Sequence, residues 1–299
     1  MSPRSDAERP LLVRALLGVA AFVVACGGGG SATPNPASPS RADTASAFLL
    51  VDAERISDND LTLSPIALVA GRTFVPPDVG QGADSVAAAL AQRHFATGVA
   101  FNLLRAGRAV ASATVARTGD IGCIGVTGIA LSRANAGGRL AVPSRAGRSF
   151  AVTSRVLRAE DRAALATQFA GLYGDSVQPA QRGAPDRIEG AALDLPDGST
   201  LLFGVLTSRT PYGSFDSTVS AVGAVRRMGQ TTQPVLGVVR RGADDNQGSE
   251  SYLDALDVDH DGWPEFVTRL TYSESYVYAV YGRRDGTWHQ LYLGGGGGC

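Results

Sequence analysis

Asp257-Val258-Asp259-His260-Asp261-Gly262-Trp263-Pro264-Glu265 sets carboxylates at the first, third, fifth and ninth positions of one short loop. Hard oxygens at alternate residues suit a hard divalent cation, and Ca2+ is the ion expected here. Gly262 takes the sharp turn at the sixth position, and the backbone carbonyl of Trp263 supplies a further oxygen. The expected ligands are therefore Asp257, Asp259, Asp261, Trp263 and Glu265. Without an ion these four carboxylates in nine residues repel one another. His260, at the fourth position, is expected to point to solvent and has no role.

Elsewhere the residue types exclude more chemistry than they suggest. The chain contains no lysine, so it forms no Schiff base, runs no Ser/Lys dyad and has no Walker A loop. Its three histidines, His94, His260 and His289, leave few candidates for an imidazole metal site or a Ser-His-Asp triad. No HExxH, GxSxG or CxxC occurs. Paired carboxylates of the glycosidase kind leave no local signature, so an extracytoplasmic hydrolase stays open as the alternative to a binding or structural module, with an inhibitor or assembly partner as a third class.

The first hydrophobic run reads as a leader. Arg4, Arg9 and Arg14 make a basic start, and Ala15 to Val24 is an apolar stretch too short to span a bilayer. Val23-Val24-Ala25-Cys26-Gly27 at its end resembles the lipobox of bacterial lipoproteins. That resemblance implies cleavage before Cys26, acyl chains such as palmitate on that cysteine, and a membrane partner reached through lipid. It implies residence in the cell envelope. Gly27 in place of an aspartate favours the outer membrane of a Gram-negative cell. Residues 1–25 are thus the signal peptide and 26–44 the lipidated cysteine and a Gly, Ser and Pro tether. Beyond the leader, 24 arginines face 26 acids, so nothing suggests polyanion binding and no nucleic-acid partner is expected; a protein or glycan ligand is the further partner considered. An exported chain with Cys123 and Cys299 left over is expected to pair them, with Gly294–Gly298 as a flexible reach.

Residues 45–175 read as a β-rich N-terminal domain. Ile66 to Pro76 predicts a strand, and Asp84 to Thr97 a helix carrying His94 in a structural role. Val99, Phe101 and Leu103 alternate into a turn at Ala106-Gly107 and a returning strand, a hairpin. Cys123–Leu131 and Ser149–Leu157 predict further strands. Leu165, Phe169, Leu172 and Tyr173 recur at helical spacing within Glu160–Tyr173, a linking helix expected to pack between the halves.

Residues 186–299 contain a diverged repeat. Ala192-Leu193-Asp194-Leu195 to Gly198 and the strand after it match Ala255-Leu256-Asp257-Val258 to Gly262 and Phe266–Leu270, and the later strands match as well. With the DxDxDGxxE loop followed by Phe-Val, this unit resembles FG-GAP and VCBS repeats. The resemblance implies Ca2+ on Asp257, Asp259, Asp261 and Glu265 and an adhesive or structural role. An EF-hand does not fit, because the twelfth position is Thr268 and a strand follows. In the first unit only Asp194 and Asp197 remain. The fold expected is α+β, mainly antiparallel β: the N-terminal domain with a helix, the linking helix, then two β-meanders that do not close a propeller. Tyr272, Tyr276, Tyr278, Tyr281, Trp288 and Tyr292 crowd the last hairpins, as core or as an exposed binding face.

Overall fold

The computed structural model describes residues 47–77, 92–120, 126–132, 137–146, 149–174, 184–212, 215–242 and 248–298, all within one compact unit. The first sheet is built from β1 (Phe48–Arg55), β2 (Asp60–Ala70), β3 (Thr73–Val75), β4 (Ala100–Arg105), β5 (Arg108–Asp120), β6 (Val126–Leu131) and β7 (Leu140–Pro143). Its order is β1-β7-β4-β5-β6-β2-β3, and β1 also pairs with β2, so pairing runs round six strands and returns to β1. Period-two alternation divides the side chains between two cores. Leu49, Val51, Leu63, Phe101 and Val115 enter one, and Leu50, Ile66, Val69, Leu140 and Val142 the other.

Two meanders follow. The second sheet has the order β12-β11-β10-β9-β8, from β8 (Ser154–Val156), β9 (Glu189–Asp194), β10 (Thr200–Tyr212), β11 (Phe215–Met228) and β12 (Thr231–Gly242). The third runs β13 (Ser249–Leu256), β14 (Glu265–Thr271), β15 (Ser275–Arg284), β16 (Thr287–Gly298). The fold is therefore α+β and mainly antiparallel β, with the helix α1 (Ala159–Tyr173) between β8 and β9 of the second sheet in sequence. Phe203 and Phe266, which hold matching places in the two meanders, stack ring on ring with centroids 4.0 Å apart and planes 4° apart. The third sheet buries its opposite face, Tyr276, Tyr278, Val280 and Tyr292, against the first sheet. The aromatic crowd is thus largely core.

α1 does not sit between the halves as its position in the sequence suggests. Leu165, Phe169 and Tyr173 pack on the outer face of the second sheet, against Leu202, Leu206, Val219 and Val225. The reason is a row of glycines across that face. Gly204 pairs with Gly223, and Gly223 with Gly237. A Cβ on these three would lie 2.8 Å from Leu165, 2.7 Å from Phe169 and 2.6 Å from Leu172. Their absence makes the groove in which the helix lies.

The N-terminus of α1 is pinned by Asp161, which is fully buried. Its carboxylate accepts from the Arg158 backbone N–H at 2.8 Å and pairs with Arg155 of β8 and, at 3.0 Å, Arg227 of β11. Burial alone would raise its pKa, but the Arg155 hydrogen bond and the arginine charges outweigh burial and hold it below the usual carboxylate value. A depressed acid contributes stability that is present above its unfolded pKa and is lost as pH falls through the folded value. Asp161→Asn is therefore expected to destabilise by about 2–3 kcal/mol at pH 7. In urea melts the gap from wild type should close below a pH of about 4; a gap unchanged by pH would refute this account.

Further segments differ from their sequence reading, and of Ser149–Leu157 only Ser154–Val156 is a strand. Ile66–Pro76 is not one strand: Gly71, at φ 57°, turns the chain between β2 and β3 and puts Arg72 at the tip. Gly294–Gly298 is not a free reach but the end of β16, paired with β15, where a Cβ on Gly295 would come within 2.3 Å of the Ile66 carbonyl. Of the helix expected at Asp84–Thr97, the described part is Gln92–Thr97, in which Gln92–His94 is helical and Phe95–Thr97 has already left the helix.

Candidate cation site

The acidic loop joins β13 to β14, with Asp257 just past one strand and Glu265 opening the next. It is shaped by its own backbone. Gly262 N–H donates to Asp257 Oδ2 at 3.0 Å, Asp261 N–H to Asp259 Oδ1 at 3.2 Å, and Val258 N–H to Glu265 Oε2 at 2.8 Å. Gly262 holds φ at 83°, which glycine adopts without strain. His260, at φ 61°, is exposed but lays its ring on Phe150 at 5.5 Å, so it caps a core residue instead of standing free.

Three of the expected ligands converge. Carboxylate oxygens of Asp257, Asp259 and Glu265 all lie within 4.8 Å of one another. Asp261 stands outside this triad and accepts from Trp263 N–H at 2.8 Å. The Trp263 ring is sandwiched by its neighbours, with the Arg283 guanidinium 3.9 Å above it and Trp288 edge-on at 6.3 Å. Burial, reinforced by the charges of Asp259, Asp257 and Asp261, raises the Glu265 pKa well above the carboxylate range. Asp257 is raised by burial and by Asp259. Asp257 Oδ1 is buried and has no hydrogen-bond partner among the described residues. A crowded set of hard oxygens, one of them orphaned, matches the donor chemistry of a Ca2+ site.

Sequence reasoning missed the internal cation at this loop. Arg72, at the β2–β3 tip, sets Nε 2.6 Å from Asp259 Oδ2 and Nη2 3.0 Å from Asp261 Oδ2. Arg284 in turn donates to the Arg72 carbonyl. No local pattern marks Arg72, which lies 187 residues before Asp259. In the first meander Asp197 accepts from Ser199 and pairs with Arg226, and among the described residues only the second loop gathers three acids.

Cys26, Cys123 and Cys299 lie outside the described residues. His94 is buried, and burial with the charges of Arg145 and Arg93 lowers its pKa to about 4, so it is neutral at physiological pH. Among the described residues no helix is long and apolar enough to cross a membrane. No family model matches the chain, and neither a curated protein nor a solved structure matches it.

Proposed function

We propose that this is a lipid-anchored protein of the cell envelope whose paired β-meanders form a binding or structural module stiffened by Ca2+. The observation that carries this reading is the convergence of Asp257, Asp259 and Glu265 around a buried, unpartnered oxygen. Bound there, the ion would neutralise the crowded carboxylates and fix the β13–β14 loop. Because Arg72 reaches the same loop from the first sheet, the site lies where two sheets meet, and its occupancy bears on more than one strand pair. The leader and tether then fit an extracytoplasmic setting, where millimolar calcium fills weak sites.

Thermal melts test the cation reading. With a dissociation constant on the order of 0.1–1 mM, usual for extracellular modules, 10 mM Ca2+ should add about 1.4–2.7 kcal/mol over chelator. Asp259→Ala should abolish the difference. Equal melting temperatures for wild type with and without calcium would sink the reading. Anchoring is tested separately, by mass spectrometry of the mature N-terminus: a diacylated or triacylated Cys26 is expected, and a chain still beginning at Met1 would refute it.

A further inference from the structure

Each acid of the β13–β14 triad has one oxygen fixed by the loop's own backbone. Gly262 N–H holds Asp257 Oδ2, Asp261 N–H holds Asp259 Oδ1, and Val258 N–H holds Glu265 Oε2. Asp257 and Asp259 differ at the second oxygen. That of Asp257, Oδ1, is buried and has no hydrogen-bond partner among the described residues, whereas that of Asp259, Oδ2, is met at 2.6 Å by Arg72 Nε. A guanidinium from another sheet thus stands on the Asp259 oxygen that the loop leaves for an ion.

Of the two partners, Arg72 is the one able to leave. It sits at the tip of the two-residue turn between β2 and β3, its side chain 53% exposed against 6% for that of Asp259. Its main chain is held independently of the acids: Arg284 donates to the Arg72 carbonyl, and Phe74 of β3 packs on Tyr292 of β16 with ring centroids 6.2 Å apart. The side chain can therefore swing to solvent while the turn stays. β3 itself is three half-buried residues at the end of the first sheet, paired only with β2, so the ion pair is a large part of what fastens this edge to the third sheet.

Two cations do not share these acids on equal terms. A dication and a guanidinium on one carboxylate repel, and water screens them poorly where that side chain is buried. A tethered arginine competes at a fixed local concentration set by its turn, so it holds the acids until enough dication is present to displace it.

We propose that Arg72 is a tethered competitor of the cation: it holds Asp259 and Asp261 in the ion-free chain, is expelled to solvent when Ca2+ binds, and so lowers the affinity of the site and ties its occupancy to the β2–β3 tip. This rests on the cation reading given above and adds its regulation. The site fills only where calcium is abundant, and filling it unlatches an edge of the first sheet from the third.

Calorimetric titration of the full chain with Ca2+, joined to hydrogen exchange read by mass spectrometry, tests it. Arg72→Gln should bind calcium at least about tenfold more tightly than wild type, since a like charge no longer competes for Asp259. Arg72→Lys, which keeps the charge, should stay within about threefold of wild type. In the wild type, calcium should slow exchange at residues 257–265 and speed it at residues 72–75, because the loop gains a partner as the tip loses one. Melts show that the variants fold: Arg72→Gln should melt below wild type in chelator and level with it in saturating calcium. An Arg72→Gln affinity no tighter than that of Arg72→Lys would overturn the proposal. So would slower exchange at both segments, which would make Arg72 a partner that stays. Binding by wild type with no gain in Arg72→Gln sinks this inference alone, whereas no binding by any of the three chains sinks the cation reading and this inference with it. Binding by Arg72→Gln alone would support the competitor in its strongest form, with Arg72 keeping the ion out of the native chain.

Discussion

A chain carrying Glu250→Ala is expected to lose about 3–5 kcal/mol of stability, the scale for removing one partner from a buried ion pair. Glu250 lies on β13 with its side chain wholly buried between the meanders. Its Oε1 accepts from Thr268 Oγ1 at 2.6 Å and from Tyr281 OH at 2.8 Å, and its Oε2 from Arg240 Nε at 3.3 Å. Arg240 comes from β12, so the pair stitches the second sheet to the third. The same guanidinium donates to Tyr281 OH at 2.9 Å and to Gln290. Burial, with the Glu250 charge next, keeps the Tyr281 phenol protonated far above its usual range, as a donor to the carboxylate must be. Deleting the carboxylate would leave the half-buried guanidinium without its counter-ion and two buried hydroxyls without their acceptor. Glu250→Leu with Arg240→Met should recover most of the loss, because an apolar pair carries no stranded charge. Urea melts of the three variants check this. A cost under about 1 kcal/mol for Glu250→Ala would mean that Phe203, Phe266 and their neighbours hold the seam unaided.

Much of this seam is legible in the sequence as pattern and little of it as partnership. Alternating Phe266, Thr268 and Leu270, and the glycine turns at Gly198, Gly229, Gly262 and Gly286, reveal the strands because period and turn chemistry are local properties. The helix over Glu160–Tyr173 is legible for the same reason. Its docking face is not: Gly204, Gly223 and Gly237 read singly as strand interruptions, and they become a groove only once β10, β11 and β12 are in register. The candidate site divides in the same way. The acids and Gly262 announce a loop for a cation, whereas Arg72, which pairs with Asp259 and Asp261, is delivered by a turn that the apolar run Ile66–Pro76 conceals. The arginine partners of the buried acids Asp52, Asp161 and Glu250 are equally silent, since each pair joins separate elements of the fold.

Glu265→Gln should reverse its effect with the state of the site: more stable than wild type in chelator, less stable in saturating calcium. The sign follows from the direction of the Glu265 pKa. A carboxyl whose folded pKa is raised contributes stability below its unfolded value near 4, and that contribution is lost as pH rises through the folded value. In the ion-free chain folding therefore works against ionisation of Glu265. Three like charges within 4.8 Å repel by roughly 3 kcal/mol per pair at an effective dielectric of 20, and Arg72 meets only Asp259 within the triad. Gln keeps the acceptor for the Val258 N–H and removes two of these repulsions at little change in volume. In chelator the variant should gain about 1 kcal/mol or more, near 3 °C for a chain of this size, and acidification should stabilise the wild type but not the variant. With calcium the order inverts, because a neutral amide is a weaker ligand for a hard dication than a carboxylate. The measurement is a grid of melts, two proteins by chelator and calcium by neutral and mildly acidic pH. If Glu265→Gln destabilises equally in chelator and in calcium, the carboxylate is a structural acceptor for Val258 and the loop is not a cation site. If it stabilises in both, the acids repel but no ion relieves them, and the cation would have to be Arg72 itself.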